Sequence, residues 1–318
     1  ITGSMQEGLV VLDSEGKILS INPTAKRLFE AEDDCVGKDF LLIPRGSQLR
    51  DAVNDALDRG RGTARGEYGG REYQFDLSRI ASDGKVIGAV LLAFDITERR
   101  NAEQLRREFS ANVSHELKTP LQSIIGSAEL LETGMVKPED APRFVGRIRK
   151  EASRLVSLIE DIIRLSQLDE GVSLPEEPVE ILELAGEVMS ALEASAAEKQ
   201  ITLTLSGSGF QVKGVRRLLY EILYNLCDNA IKYNVPGGSV RIAAQGNTLT
   251  VTDTGIGIPR EHQDRVFERF YRVDKSHSKQ SGGTGLGLSI VKHAAAHHGA
   301  RLVLESTPGE GTSVSVIF

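Results

Sequence analysis

The chain lacks several features that would place it in common protein classes. It has only two cysteines, Cys35 and Cys227, which are far apart in 318 residues and have no metal-ligand spacing. This argues against a disulfide framework or a zinc site and favours a reducing compartment. No apolar run approaches the roughly 18 residues that cross a membrane, and the N-terminus has no signal-peptide pattern. We expect residues 1–4 to be a cloning scar, and the rest to be the cytoplasmic portion of a protein with an upstream membrane anchor.

A long basic stripe is also missing. The net charge is −7, which argues against nucleic acid as a partner. Residues 59–65, RGRGTAR, suit either an RNA-binding Arg/Gly segment or a solvated turn between a helix and a strand. We favour the turn, because such RNA-binding segments are usually longer and contain aromatic residues. Residues 1–98 contain no histidine, the usual haem ligand, and no cysteine motif of the flavin photosensor type.

At roughly 100–200 residues per domain, the length predicts two or three domains. Residues 5–98 have the pattern of a small antiparallel sheet with helices on one side. Apolar runs at 9–12 and 18–21 flank a turn, and Asn22-Pro23 offers a helix cap. Alternation at 73–77 and the apolar run 86–94 predict further strands. The region resembles a PAS domain, and Asp95-Ile-Thr-Glu98 resembles that family's exit into a signalling helix.

Residues 99–171 are predicted to form two long helices. Apolar residues recur three or four positions apart from Leu105 to Leu131 and again from Phe144 to Leu168. An isolated hairpin would leave an apolar seam exposed, whereas two hairpins can form a four-helix bundle. We therefore expect an antiparallel hairpin that forms a homodimeric four-helix bundle. The alternative is that both helices pack on a neighbouring domain.

The remaining chain is predicted to begin with a linker at residues 172–177. From 178 to 318, helical and strand patterns alternate: helices at 181–199, 215–234 and from Leu286, and strands at 201–205, around a Gly246-Asn247 hairpin, and at 302–305 and 313–317. Helices and strands on one mixed sheet form an α/β sandwich. The whole chain is thus predicted to be an α+β multidomain protein.

The first long helix contains a histidine in an unusual setting. His115 belongs to the run Ser114-His-Glu-Leu-Lys-Thr-Pro120. Pro120 removes a backbone N–H and clashes with the carbonyl of Glu116, which should bend the helix near His115. An imidazole is a competent nucleophile near neutral pH, and Glu116 can fix which nitrogen carries the proton. Thr119 shares the face of His115. A lone histidine on a helix is usually an ordinary surface or core residue.

Three later motifs have the chemistry of a nucleotide site. Asn225, Asn229 and Lys232 share one helical face, where amide oxygens suit magnesium and a lysine suits phosphate. The alternative is a set of buried polar caps, which would need partners in a core. Asp253-Thr-Gly-Ile-Gly257 follows a strand, and its glycines allow close approach of backbone to a ligand. Gly283-Thr-Gly-Leu-Gly287 opens a helix whose N-terminus suits phosphate. Either glycine motif alone is weak, because many turns match it.

Taken in order, these motifs resemble those of bacterial sensor histidine kinases, and of the membrane-bound phosphate-regulon or cell-wall types among them. The histidine run resembles the phosphoacceptor box, and the later motifs resemble those of the GHKL (Bergerat) ATP-binding fold. The resemblance implies that His115 accepts phosphate, that Glu116 assists as base, and that Thr119 orients a water for dephosphorylation of a partner. It also implies ATP and Mg²⁺ as cofactors, with Asn229 on the metal, Lys232 on phosphate, Tyr233 beside the nucleotide and Asp253 at the adenine. The other residues that we expect to bind the nucleotide are Asn225, Gly255 and Gly257, and Gly283, Gly285, Leu286 and Gly287 of the glycine-rich loop.

Residues 266–272 resemble the family's F-box, and residues 274–282 are composed like a mobile lid. Arg272, rather than Arg269, is our candidate for a contact with the γ-phosphate; a solvated arginine is the alternative. Asn225 stands where hydrolytic ATPases of the gyrase and Hsp90 kind have a glutamate base, which favours phosphate transfer to protein. We expect a kinase that phosphorylates His115, passes phosphate to a response-regulator aspartate and also dephosphorylates that regulator. The rival hypotheses are a GHKL ATPase or chaperone and a non-catalytic dimeric scaffold.

Overall fold

The structure is a computed structural model. It describes residues 5–40, 47–82, 85–169, 175–273 and 284–318. The chain forms two compact units, Ile1–Ser110 and Ala111–Phe318. Both contain helices and sheets, so the predicted α+β multidomain class is confirmed. Among the described residues, no helix has the length and apolar character that a membrane span requires.

The first unit is built on an antiparallel sheet. Its strands are β1 (Gly8–Asp13), β2 (Ile18–Ile21), β3 (Arg61–Tyr68), β4 (Arg71–Ser82) and β5 (Lys85–Asp95), in the order β2-β1-β5-β4-β3. Alternate residues of β1 are buried, as expected for a strand with one face on a core. Helices α1 (Pro23–Leu28) and α2 (Ser47–Arg59) contribute side chains to the same core.

The predicted cap at Asn22 is confirmed. Its Oδ1 accepts the backbone N–H of Ala25 at 2.8 Å and that of Leu9 at 3.0 Å. Pro23 occupies the first helical position, where the absent N–H costs no hydrogen bond. One buried side chain thus fixes the start of α1 and attaches it to β1.

The turn predicted for residues 59–65 is mostly wrong, because β3 takes up most of this segment and only Gly60 separates it from α2. The small residues Gly62 and Ala64 are buried, whereas the residues between and beside them are exposed. A Cβ at Gly62 would overlap the carbonyl oxygen of Ala52 in α2. The glycine therefore serves close packing of helix on strand.

The two long helices are confirmed as α3 (Thr97–Glu132) and α4 (Ala141–Asp169). At the start of α3, Oδ1 of Asp95 accepts the backbone N–H of Thr97 at 3.0 Å. The helix continues through Pro120, which is buried.

Helix α4 has two different faces. Val156, Ile159 and Ile163 are exposed by 57, 45 and 51 %, and we call them the outer stripe. Leu158 and Leu165 are buried. Because an α-helix has about 3.6 residues per turn, the outer stripe lies on the side of α4 opposite to these two leucines.

The second unit contains the predicted mixed sheet. Its strands are β7 (Thr202–Ser206), β9 (Ser239–Gln245), β10 (Thr248–Asp253), β11 (Arg301–Thr307) and β12 (Gly311–Ile317), in the order β11-β12-β10-β9-β7. The pair β7 and β9 is parallel and the other pairs are antiparallel. Helices α5 (Ile181–Glu198), α6 (Arg216–Lys232) and α8 (Gly287–His297) share one apolar core with this sheet, and α7 (Arg260–Gln263) is a short additional turn of helix.

The predicted linker at 172–177 needs a correction at its end. Strand β6 (Glu177–Glu180) already includes its last residue and pairs antiparallel with β8 (Gln211–Gly214). Val179 is buried in this pair. Residues 170–174 lie outside the described part of the chain.

A histidine fixes the start of α6. Nδ1 of His298 donates to the Ala294 carbonyl at 2.7 Å, and Nε2 accepts the backbone N–H of Val215, the residue before α6, at 3.0 Å. This pair of contacts requires a neutral imidazole, since a protonated ring has no acceptor nitrogen. Burial lowers the pKa of His298, against the opposing effect of its bond to Ala294.

Candidate active site

His115 is exposed on α3, with 80 % of its side chain accessible. Its Nδ1 lies 3.8 Å from Oε1 of Glu116. This distance is too long for a hydrogen bond, but it places the carboxylate beside one ring nitrogen. Nε2 is then the nitrogen that does not face Glu116.

Thr119 lies one turn beyond His115 and is exposed. Its Oγ1 donates to the His115 carbonyl at 3.2 Å. A hydroxyl oxygen that donates one bond still has lone pairs that accept from water. Thr119 is therefore bonded to the helix backbone at His115 and keeps an acceptor at the surface.

A cavity of about 860 Å³ in the second unit collects most of the predicted nucleotide contacts. Gly255 and Leu286 are not among the residues that line it; the side chain of Leu286 is fully buried. Gly283 and the predicted lid at 274–282 lie outside the described residues. The predicted residues that do line the cavity are Asn225, Asn229, Lys232, Tyr233, Asp253, Gly257, Arg272, Gly285 and Gly287.

Asp253 is held at the end of β10 by two backbone N–H groups. Its Oδ1 accepts from Gly255 at 2.8 Å and from Thr312 at 3.2 Å. Burial raises the pKa of Asp253, and these two bonds oppose the rise. A Cβ at Gly255 would overlap the carbonyl of Tyr233. Gly255 thus supports the aspartate and its backbone rather than lining the cavity.

Helix α6 supplies the amides and the lysine. Asn225 donates from Nδ2 to the Glu221 carbonyl at 2.8 Å, and its Oδ1 lies against Gly287, where an added Cβ would approach it to 2.8 Å. Nζ of Lys232 lies 2.6 Å from Oδ2 of Asp228. The first turn of α8, which the glycine-rich motif opens, is therefore packed directly on this helix.

The two candidate arginines are in different surroundings. Arg272 lines the cavity. Burial lowers its pKa, and the like charge of Arg154 adds to the effect, whereas Tyr233 and Glu116 oppose it. Arg269 is not among the lining residues, and its Nη2 lies 2.9 Å from Nε2 of His293. Of the two arginines, Arg272 is thus the one that lines the cavity.

Three family models match the chain in the order of its domains. They are the PAS fold over residues 2–101, the His Kinase A (phospho-acceptor) domain over 105–171, and the histidine kinase-, DNA gyrase B- and HSP90-like ATPase over 214–318. The sensor protein kinase WalK of Staphylococcus aureus is 32 % identical over 98 % of this chain, in a sequence of which the chain covers 78 %. The chain is a sensor histidine kinase family member.

Other relatives give the same family. The sensor-like histidine kinase SenX3 of Mycolicibacterium smegmatis is 40 % identical over 244 residues, which are 75 % of this chain and 64 % of SenX3. The chain spans 53 % of a longer WalK sequence. Two solved structures share the fold. Histidine kinase ThkA in complex with response regulator protein TrrA has a TM-score of 0.56 and 20 % sequence identity, over 97 % of this chain and 94 % of that chain. Acinetobacter baumannii histidine kinase AdeS has a TM-score of 0.52 and 23 % sequence identity, over 64 % of this chain and 97 % of that chain.

In this sensor histidine kinase, one wall of the cavity was not predicted from the sequence. Arg154, Ser157, Asp161 and Arg164 of α4 also line it, and we call them the inner stripe. Their spacing of three, four and three residues puts them on one face of a helix, opposite to the outer stripe. The regular spacing of these polar residues was the only sign in the sequence that they share a functional surface. The solvent-exposed face of an ordinary helix has the same pattern.

The inner stripe makes specific contacts with the ATPase-like part of the chain. Oδ2 of Asp161 accepts from Oγ1 of Thr284, in the glycine-rich motif, at 2.8 Å. Burial raises the pKa of Asp161, opposed by this bond and by the charges of Arg164 and Lys232. Nε of Arg164 lies 3.6 Å from Oε1 of the buried Glu221. Asp161 therefore occupies the region where the sequence predicts phosphate.

Proposed function

We propose that the chain is an ATP-dependent protein-histidine kinase that phosphorylates His115 and passes the phosphate to a response-regulator aspartate. The observation that carries this proposal is the position of Arg154. Arg154 lines the cavity, and its Nη2 lies 3.6 Å from Oε2 of Glu116, the neighbour of His115. Arg154 thus connects the wall of the cavity to the histidine motif.

The proposed reaction is an in-line displacement. The lone pair on Nε2 of His115 attacks the γ-phosphorus, the bond from that phosphorus to the β–γ bridging oxygen breaks, and ADP leaves. Glu116 faces Nδ1 and takes its proton, so the phosphorylated ring stays neutral. Because the protein does little covalent chemistry in phosphoryl transfer, positioning and charge neutralisation supply most of the catalysis.

Magnesium fits the donor set of the cavity. Among the residues that the structure describes, no three His, Cys, Asp or Glu side chains are grouped to hold a metal ion. Mg²⁺ is usually bound through few protein oxygens together with waters and substrate phosphates. The carboxamide of Asn229, which lines the cavity, is the proposed protein ligand. The bound ion would neutralise charge on the phosphates.

Hydrolysis of ATP is the less well supported alternative. The carboxamide of Asn225 cannot act as a general base. Glu221 is the carboxylate one turn earlier on α6, and its Oε1 lies 3.3 Å from Nε of Arg217 and 3.6 Å from Nε of Arg164. Oε1 of Glu221 is thus already engaged by two guanidinium groups. These surroundings favour transfer to an imidazole.

The outer stripe supports a homodimer. It consists of apolar side chains on a helix whose other face is already committed to the nucleotide cavity. A second copy would cover such a stripe by forming the four-helix bundle predicted from the sequence. The proposed partners are thus a second chain and a response regulator.

A response regulator as partner is supported by a relative of the same fold. ThkA has been solved in complex with the response regulator protein TrrA. We propose that this chain docks its own regulator at the exposed face around His115 and Thr119. A water bound at the Thr119 hydroxyl would then reach the docked aspartyl phosphate, which gives the protein a phosphatase activity as well.

Labelling with γ-phosphate-labelled ATP and Mg²⁺ tests the function. We expect phosphate on the protein that is labile to acid and stable to alkali, as phosphohistidine is. His115→Gln should abolish the label and leave ATP affinity unchanged. A label that persists in this variant would assign a different acceptor, and release of inorganic phosphate without a protein label would identify an ATPase instead.

A further inference from the structure

Arg154 contacts the phosphoacceptor and the nucleotide cavity at the same time. The Glu116 carboxylate lies between two groups, with Oε1 3.8 Å from Nδ1 of His115 and Oε2 3.6 Å from Nη2 of Arg154. Only 27 % of the Glu116 side chain and 19 % of the Arg154 side chain are exposed. Most exposed ion pairs contribute little, but this one is largely shielded from water and is therefore screened less by salt.

A second guanidinium group belongs to the same cavity. Arg272 lines the cavity; burial lowers its pKa, the like charge of Arg154 adds to the effect and the carboxylate of Glu116 opposes it. A phosphate group bound at this part of the cavity would be attracted by both guanidinium groups. Planar guanidinium groups also match phosphate oxygens in a two-point geometry.

We propose that Arg154 is a positioning residue for phosphoryl transfer, which holds Glu116 against His115 and forms, with Arg272, the seat of the γ-phosphate within a single chain. This inference rests on the proposed kinase function. Arg154 neither takes nor gives a proton in the reaction. Its effect is to keep the carboxylate at Nδ1 while the phosphorus approaches Nε2.

The first test separates transfer from binding. Arg154→Gln should lower the autophosphorylation rate at saturating ATP by about 100-fold, the effect typical of a misplaced reacting group. The dissociation constant for ATP should rise by less than about threefold, because Arg272, the adenine contacts and the metal contacts remain. Arg154→Lys should recover roughly a tenth of the wild-type rate, since it restores the charge but not the two-point geometry.

The matched control removes the same charge from the same helix. Arg149 is exposed on α4 and does not line the cavity, so Arg149→Gln should behave like the wild type. An unchanged rate in Arg154→Gln would overturn the proposal. The proposal would also be overturned if Arg154→Gln lost ATP binding and rate in parallel and Arg154→Lys restored neither, since that pattern indicates a purely structural role. A wild-type protein that binds ATP but never labels would instead refute the kinase function.

The second test asks whether one chain contains the complete binding site for the γ-phosphate. Chains carrying His115→Gln and chains carrying Asn229→Ala are given different affinity tags, and mixed dimers are purified by both tags. One chain then lacks the acceptor and the other lacks the metal ligand. We expect no label on either chain. Label on the Asn229→Ala chain would show transfer between subunits and would overturn the proposal that one chain forms the γ-phosphate site.

Discussion

The Thr119 hydroxyl donates to the His115 carbonyl and can accept from a water at the same time. Autophosphorylation needs the imidazole and ATP but no such water. Thr119→Ala should therefore keep most of the kinase rate and slow dephosphorylation of the response regulator by about 10- to 100-fold, as for a lost positioning contact. Single-turnover assays with purified phosphorylated regulator measure the second rate.

Thr133 provides the control for this substitution. Its Oγ1 makes the same kind of bond, to the Glu129 carbonyl at 2.8 Å, just beyond the end of α3. Thr133→Ala removes an equivalent hydroxyl far along the helix from His115, and both activities should persist. Equal losses of both activities in Thr119→Ala would mean that the residue only shapes the helix before Pro120.

His298 makes the stability of the second unit depend on pH. Its folded pKa is lowered by burial from the ordinary 6.5, so the folded state binds fewer protons than the unfolded chain. The stability that the neutral ring contributes is therefore present above about pH 6.5 and is lost as the pH falls below it. We expect His298→Gln to cost about 1 kcal/mol at pH 7.5 through the lost bond to Val215, and less at pH 5.5.

Urea denaturation at the two pH values measures this difference in the free energy of unfolding. The unfolding transition of the second unit is identified as the one that ATP shifts to higher urea concentration. His297 is the adjacent control, because it is exposed and makes no comparable bond to the start of α6 among the described contacts. His297→Gln should leave the transition unchanged. A constant difference between wild type and His298→Gln across the pH range would contradict the protonation argument.

Individual residues differed in how well the sequence predicted their surroundings. The cap at Asn22 was predictable, because its partners are the backbone groups of the next turn. The amides and lysine of α6 were also placed on one face correctly, since that depends only on helical periodicity. Arg154 and Asp161 were missed, because their importance comes from contacts with Glu116 and with Thr284, which are distant in sequence.

At the level of the element, α4 brings an acidic group into the region where we propose that phosphate binds. Asp161 accepts from Thr284 and is close enough to Lys232 for their charges to interact. Its carboxylate should repel the triphosphate. Asp161→Asn keeps the acceptor for Thr284 but removes the charge, so the dissociation constant for ATP should fall by about three- to tenfold, equivalent to roughly 1 kcal/mol of repulsion.

Isothermal titration with ATP and Mg²⁺ measures this change. Glu151→Gln removes one negative charge from α4 outside the cavity lining and should not alter the affinity. If Asp161 were instead a ligand of the metal, the asparagine variant would bind ATP more weakly in the presence of Mg²⁺. The sign of the change therefore decides between the two roles.

Among whole elements, those with strong apolar periodicity were predicted and those without it were missed. The helices α3 to α6 and the central strands follow their own hydrophobic pattern. Strand β3 contains arginine, glycine and alanine, and it forms because β4 pairs with it and α2 packs on it. Strand β6 contains Pro178 and charged residues, and it pairs with β8 from a distant part of the chain. Long-range pairing of this kind has no local signal.

For the whole molecule, we expect a dimer at micromolar concentration that depends on the outer stripe. Val156→Glu would place two charges, one from each copy, in an apolar interface, and burying unpaired charge is costly. The dimer dissociation constant should rise by about 100-fold or more, which is equivalent to roughly 3 kcal/mol. Light scattering with size-exclusion chromatography measures the mass.

Val36 is a closely matched control. It is the same residue type, is 56 % exposed against 57 % for Val156, and lies in the first unit. Val36→Glu should remain dimeric. A wild-type protein that is monomeric at micromolar concentration would remove the four-helix bundle from the proposal.

The two stripes of α4 have a consequence for how the protein must be measured. One helix carries both surfaces, so if two chains associate through the outer stripe, their association and the occupancy of the cavity are linked through α4. If dimerisation changes the affinity for ATP by some factor, ATP must change the affinity between chains by the same factor. Nucleotide concentration is then a variable in every sizing experiment, and protein concentration is a variable in every nucleotide titration.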